Sequence, residues 1–299
     1  MELQQLRYVI ATAETLNFTR AAERCHVVQS ALSHQIAALE RELGARLFDR
    51  TNRAVRLTAA GEAFLPQARA ALAATERAAD EVASTLGSVR GTVTVGMIPT
   101  FTVFDVVDVL RRYRRAYPDA AVRVRSGASE ILLDEVRRGT LDLAFLGVPE
   151  GFSTAGVIAR ELRFERLVLV ASQARGLVGP LALADLADEP FVDYPAGGAG
   201  RAETDLAFAA AGVHRSVPFE VDRSETMLAL IAAGLCVGTA ALGTVPDGAG
   251  LATVDLLDGP TRTQYLVHSK LLSPAARALL SIVDRTLSEV NHRTVGDGV

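Results

Sequence analysis

The sequence predicts an α/β protein of modular build: an N-terminal winged helix-turn-helix, a long helix that pairs with a second copy, and a two-lobed α/β domain. Three observations predict it. The first 57 residues read as three helices followed by a short hairpin. The next thirty carry an a/d seam, and beyond "GSVRG" (87–91) short apolar strands alternate with amphipathic helices. At 299 residues the chain exceeds one ordinary core, so two or three domains are expected.

The N-terminal elements follow from spacing. Leu3, Leu6, Ile10 and Ala13 fall on one helical face over 3–14. "TRAAERC" is a second short helix, with Asn17 or Thr19 as its N-cap. "HVV" is the turn. The third helix runs from about Ser30 to Leu43 and ends at Gly44, a C-cap residue. "ARLFDR" and "AVRLT" are strands around the turn "TNR". These elements bound a first domain at 1–58. Over 59–90, Leu65, Ala68, Leu72, Thr75, Ala79, Val82 and Leu86 alternate steps of three and four, the pattern of a helix paired with a second copy. Pro66 should kink this helix or mark a boundary in it.

The remainder, 91–292, alternates strand and helix from "TVTVGMI" to "LDLAFLG", which predicts a parallel sheet with right-handed crossovers. A second such unit follows from "ERLVLVAS" to "VGTAAL", and the chain returns through "TQYLVHS" and a long helix. Lobe I is expected at about 91–162 and 268–292 and lobe II at about 163–267, with a flexible tail at 293–299. Two α/β lobes joined by chain crossings leave a cleft, where small ligands bind.

Composition narrows the function. The net charge is −4, yet the first 60 residues hold eight Arg against six acids, and Arg46, Arg50, Arg53 and Arg56 lie within eleven residues. That clustering suits a phosphate-binding edge on one small module. No basic segment precedes a long apolar run and no apolar stretch reaches about 18 residues, so a cytoplasmic protein without membrane contact is expected. Cys25 and Cys236 are too few for a disulfide framework and are read as inert thiols. There is no P-loop, no G-x-S-x-G and no metal-spaced His/Cys cluster, so neither an enzyme nor a cofactor is expected.

The third helix carries the sharpest signal. Leu32, Ile36, Leu39 and Leu43 cluster on one side; Ser30, Ser33, His34, Ala37 and Arg41 cluster opposite, flanked by Gln29 and Gln35. Short hydrogen-bonding tips around an alanine suit a helix pressed into a major groove, with the hairpin arginines along the flanking backbone. A surface helix with incidental polar residues would show the same face. The preceding helices, the basic hairpin and the seam favour the groove.

"LRYVIATAETLNFTRAAERCHVVQSALSHQIAALERELGARLFDRTNRAVRLTAAGEAFL" resembles the N-terminal domain of the LysR-type transcriptional regulators almost position by position. "GTVTVG", "GASEILLDEVRRGTLDLAFLG" and "RSETMLALIAAGLCVG" resemble the family's effector-binding domain, and the likeness extends to about residue 290. The resemblance implies a homodimer or homotetramer, dimerised through the helix at 58–88, that binds a double-stranded DNA operator. It also implies a periplasmic-binding-protein-like sensor whose small-molecule effector shifts the DNA contacts. DNA-reading positions of the family map onto Gln29, Ser30, Ser33 and His34, with Arg50 and Arg53 in the wing; Arg41 extends the same face. Val28 replaces the usual capping Ser or Thr, Ser30 the usual Pro, and His34 the usual Arg. Ser30 could take over capping and start the helix two residues later. Neutral His offers one donor and one acceptor, so an altered operator preference is expected.

For the effector, the resemblance points to Pro99, Thr100, Phe101 and Thr102 in the loop after the first sensor strand, and to Ser129 at the next helix start. Arg201, Thr226 and Thr239 are candidates from the second lobe. Hydroxyls and N–H groups at a helix start favour an anion such as a carboxylate. Ser129 at a helix start also reads as a plain N-cap, and Arg201 could pair with Glu203 or Asp205. "IPT" (98–100) resembles the peroxide-sensing members, but they need a cysteine near 195–210, where this chain has none. A solute-binding protein would fit the two lobes alone; the N-terminal winged module argues against it.

Overall fold

The computed structural model describes residues 1–51, 54–86 and 88–296. It divides into two compact units, one built from the first 88 residues and one from almost all of the rest.

In the first unit, α1 (Leu3–Thr15), α2 (Phe18–Arg24) and α3 (Gln29–Leu43) precede a hairpin of β1 (Phe48–Thr51) and β2 (Ala54–Leu57), and α4 (Ala59–Thr85) follows. Tyr8, Val9, Phe18, Ala21, Leu32, Ile36, Leu39, Leu47 and Phe48 form one buried cluster. The chain turns from α1 into α2 because Leu16 takes a left-handed conformation and Asn17 caps α2, accepting from the N–H groups of Thr19 and Arg20 at 2.9 and 3.0 Å. Between α2 and α3, His26 lies at φ +54°, in the left-handed region. Gly44, at φ +67°, ends α3 and lets the Ala45 N–H reach the Glu40 carbonyl at 3.1 Å. The Glu40 carboxylate then accepts from the N–H groups of Leu47 and Phe48, tying α3 to the hairpin. Helix α4 starts so close to Leu47 that a Cβ on Gly61 would lie 2.1 Å from the Leu47 carbonyl oxygen.

Two expectations change here, and one falls outside what the structure describes. Helix α3 starts at Gln29 and not at Ser30, and Ser30 does not cap it: Val28 holds the N-cap position with no side-chain bond to the first turn. Helix α4 runs through Pro66 without a boundary. Arg53 lies outside the described residues, as does the side chain of Arg50.

The second unit holds two lobes. Strands β3 (Gly91–Met97), β4 (Ala120–Ser126), β5 (Leu143–Val148), β6 (Ile158–Arg166) and β12 (Thr261–His268) form one five-stranded sheet, ordered β4-β3-β5-β12-β6. It carries α5 (Val106–Ala116), α6 (Ser129–Arg137) and the terminal α9 (Pro274–Gly296). Strands β4, β3 and β5 are parallel as the alternation predicts, whereas β12 runs antiparallel to both β5 and β6. The other lobe holds β7 (Val168–Ser172), β8 (Pro190–Asp193), α7 (Ala199–Ala210), β9 (Ser216–Glu220), α8 (Ser224–Ala232), β10 (Gly238–Ala240) and β11 (Leu251–Val254). Here β10, β7 and β11 pair antiparallel, while β8 and β9 form a parallel pair, with single parallel bridges at Leu181–Leu256 and Phe191–Val237. The expected second parallel sheet is thus a smaller, mixed arrangement.

The lobe boundaries move accordingly. The sheet of lobe I takes all of β6 and β12, so the chain crosses at Leu167 and near Pro260 instead of at 163 and 267. The two crossings touch: the Leu167 N–H donates to the Pro260 carbonyl at 2.8 Å. Helix α9 continues to Gly296, beyond the point where a tail was expected.

The missing cap on α3 makes a prediction. Val28 is 68% exposed, so little packing is lost by replacing it. Val28→Ser should stabilise the protein by about 1 kcal/mol, read as a higher urea midpoint at unchanged slope. No gain would mean that the first-turn N–H groups are already satisfied.

Candidate functional site

In the N-terminal unit, α3 buries Leu32, Ile36 and Leu39 and leaves Gln29, Ser30, His34, Gln35 and Arg41 exposed, with Ser33 half-buried. The amphipathic split read from the sequence is therefore the observed one, apart from Leu43, which is exposed at the helix end. The Gln29 Nε2 donates to Ser33 Oγ at 2.8 Å, one turn on, which holds both amide and hydroxyl on the outer face. Arg41 Nε donates to the Ala37 carbonyl at 3.3 Å. A shallow groove bounded by Ala37, Arg41, Arg46 and Phe48 runs from the end of α3 to the start of the hairpin. Two cations on a concave rim beside a helix of small polar tips can hold phosphates while the helix reads base edges.

In the second unit a narrow cavity of about 20 Å³, partly open to solvent, lies between the lobes. Lobe I contributes Thr100 and Arg262; lobe II contributes Glu203, Thr204, Ser224 and Thr239 among others. Arg262, 5% exposed, is held on three sides. Its Nε pairs with Glu165 Oε1 at 2.6 Å, and its two terminal nitrogens donate to the hydroxyl and the carbonyl of Thr100, each at 2.8 Å. Beside it, Gln264 Nε2 donates to Thr102 Oγ1 and to Glu165 Oε1, both at 2.6 Å. Across the cavity, Thr204 and Thr239 share a hydrogen bond of 3.3 Å.

The structure brings only some of the sequence candidates to this cavity. Thr100 and Thr239 line it. The Thr102 hydroxyl is engaged by Gln264 and Glu165. Phe101 packs on Phe104 and Phe145 in the core, and Pro99 is exposed. Ser129 is 4% exposed, and its hydroxyl both donates to the Gly147 carbonyl and accepts from the Gly147 N–H, joining α6 to β5. Arg201 bonds Asp205 at 3.0 Å and the Tyr194 carbonyl at 3.3 Å, in a network with Asp193 and Arg215. Thr226 is exposed and does not line the cavity. The helix-start argument for an anion also loses its basis. Helix α5 begins at Val106, downstream of Thr100 and Thr102, and is capped by its own carboxylate, Asp105, at 2.8 Å.

Sequence reasoning missed Arg262, Gln264 and Glu203 as site residues. Arg262 and Gln264 alternate along β12 and both are buried, an inward polar pair at period two in "TRTQYLVH". That pattern is a usable signal. Glu203 sits in "RAETDLAF", where nothing distinguishes it from a surface helix acid.

Glu203 is 5% exposed, and its carboxyl has no hydrogen-bond partner among the described residues. Burial pushes its pKa from 4.5 up to about 8; Arg262 opposes the shift, while Asp193 and Glu165 add to it. Between those values the folded chain keeps a proton that the unfolded chain has released, so Glu203 lowers stability progressively as pH rises through that window. Glu203→Gln should therefore melt above the wild type at pH 8 and lose that advantage towards pH 5. A pH-independent difference in paired thermal melts would mean that the folded carboxyl is already ionised.

Burial also raises the pKa of both Cys25 and Cys236, which fits inert thiols. No helix of the described residues is long and apolar enough to cross a membrane.

Comparisons with known proteins cover both units. Residues 3–62 match the family model of the bacterial regulatory helix-turn-helix protein, lysR family, and residues 86–288 match the LysR substrate binding domain. The chain is 34% identical to the HTH-type transcriptional regulator IlvR of Caulobacter vibrioides, over 95% of this chain and 97% of that one. It is 32% identical to the regulator ShiR of Corynebacterium glutamicum, over 82% of this chain and 84% of that one. Among solved structures it is similar to full-length CbnR complexed with its target DNA, with a TM-score of 0.69 and 26% identity over 95% of this chain and 99% of that one. It is also similar to a full-length OxyR from Pseudomonas aeruginosa, with a TM-score of 0.71 and 25% identity over 95% of this chain and 97% of that one. A winged helix-turn-helix, a seamed helix and a cleft between two α/β lobes, matched along nearly the whole length, lead to one conclusion: the chain belongs to the LysR family of DNA-binding transcriptional regulators, oligomeric proteins that answer to a small-molecule effector and are not enzymes.

Proposed function

We propose that this chain works in the cytoplasm and reads its operator through Gln29, Ser30, Ser33 and His34 of α3. Arg41, Arg50 and Arg53 hold the flanking phosphates, and a small polar effector between the lobes modulates that contact. The observation that carries the reading is the outer face of α3. Its first turns expose the polar side chains of Gln29, Ser30, His34 and Gln35, while Leu32, Ile36 and Leu39 of the same helix are buried in the domain core. A helix so divided presents donors and acceptors at close range, which base edges in a major groove require.

His34 is exposed on this face and can give one donor and one acceptor. His34→Arg adds a bidentate cation and should tighten operator binding about tenfold while shifting base preference toward guanine. Fluorescence anisotropy on DNA upstream of the gene, with each base pair of the site varied, tests both. Unchanged affinity and specificity would remove position 34 from the interface.

On the sensor side, the Thr100 hydroxyl accepts from Arg262 and so keeps its own proton free for a ligand. Thr100→Val should abolish the effector's influence on DNA binding while the unliganded protein still binds DNA. Loss of DNA binding itself would make Thr100 structural. A solute carrier without a DNA partner would instead show no steep dependence of DNA affinity on salt.

A further inference from the structure

Charges lining the effector cleft are matched in pairs, with one exception. Arg262 is neutralised by Glu165 at 2.6 Å. Asp193 is neutralised by Arg215 at 2.8 Å, and its other oxygen accepts from the Tyr194 N–H. Glu203, on the cavity wall, has neither a counter-ion in contact nor a hydrogen bond among the described residues, although it is only 5% exposed. A buried polar group without a partner carries a desolvation penalty that a ligand can relieve.

We propose that the effector of this chain carries a protonated amine and that Glu203 receives it, with Thr100 and Thr239 bonding the effector's other polar atoms. The inference rests on the reading of this cleft as the effector site and adds the chemical class of the ligand.

The alternatives fit less well. A carboxylate would need cations or free N–H groups. The one arginine on the wall already spends three of its five N–H donors and its charge on Glu165 and Thr100. The N–H of Ala199, in the first turn of α7, is taken by the Glu130 carboxylate at 3.2 Å. A bare anion would also face Glu203 on α7 and Asp193 on β8, with Arg262 on β12 and the phenol of Tyr194 as the other titratable groups on the wall and Glu165 on β6 paired to Arg262. An ammonium has three donors and no acceptor, which matches a lone acid beside two threonine hydroxyls.

The proton balance follows. Unliganded Glu203 is held protonated below about pH 8 by burial. An ammonium entering the cleft stabilises the carboxylate, and the Glu203 proton leaves to solvent. Affinity for the amine should therefore rise up to about tenfold per pH unit below about pH 8 and level off above it. A carboxylate accepting the Glu203 proton would show the opposite trend, weakening as pH passes 8.

The test is calorimetry on the full-length protein, at pH 6 to 8.5 and in two buffers of different ionisation enthalpy. The probes are the L-amino acids, putrescine and benzylamine, set against butyrate, succinate and benzoate. The expected result is binding by an amine-bearing probe, proton release at pH 7, rising affinity with pH, and loss of at least about tenfold in affinity in Glu203→Gln. If carboxylates bind with sensitivity to Thr100→Val while amines do not, or if affinity for the amine is flat or falls with pH, the amine inference is overturned and the cleft reading stands. If no probe binds the wild type, or binding is indifferent to both substitutions, the cleft reading falls and takes the inference with it. The pH dependence of the wild type decides between these outcomes even if Glu203→Gln fails to fold.

Discussion

The hinge of the sensor unit depends on a largely buried ion pair. Glu165, at the end of β6, and Arg262, at the start of β12, lie beside the two chain crossings between the lobes. Their pairing holds the β6–β12 register where the chain leaves the sheet, and Arg262 then grips both the hydroxyl and the carbonyl of Thr100. Gln264 adds Thr102 to the same group. The hinge strands and the loop after β3 are thus joined by five hydrogen bonds that converge on two charged side chains and an amide. Removing either charge would leave its partner buried and uncompensated, typically a loss of about 3–5 kcal/mol. Such a pair is poor as a source of net stability and good as a device for placing a loop.

That placement shapes the cleft. With the charge of Arg262 matched by Glu165 and three of its five N–H donors spent on Glu165 and Thr100, the cavity wall keeps hydroxyls and one acid, Glu203, without a counter-ion in contact. The two-lobed fold fixes the location of the cleft; the residues on its walls decide what can enter. Here the positions expected to grip an anion are largely spent on the fold itself. Ser129 joins α6 to β5, Thr102 serves the hinge network, and Arg201 is committed to Asp205 and does not line the cavity.

The N-terminal unit works on the opposite principle. It exposes its polar groups where the sensor buries them. Its core needs only one face of each short helix, so α3 is free to show small polar tips outward. Helix α4 continues this economy: Thr75, Ala79, Val82 and Leu86 of its seam are exposed in the single chain. An apolar stripe of that spacing on a helix of 27 residues suits pairing with a second copy, in keeping with the oligomeric family.

Local pattern was enough for most elements of the N-terminal domain and for the parallel strands of lobe I, because period-3.6 and period-2 spacing report directly which face is buried. It determined the split of α3 into Leu32, Ile36 and Leu39 against Ser30, His34 and Arg41, and the strand–helix alternation of β3 to β5. It failed where tertiary contact overrides local preference. Strand β6 is an edge strand with mostly exposed, charged side chains, so no apolar run announces it. The α3 start could not be placed from cap preference, since Val28 takes the N-cap position without a capping group. The cleft chemistry was the least legible part. Whether Arg262, Thr102 or Glu203 is free for a ligand depends on partners more than sixty residues away in the chain, and only the folded structure decides which polar groups find one another and which do not.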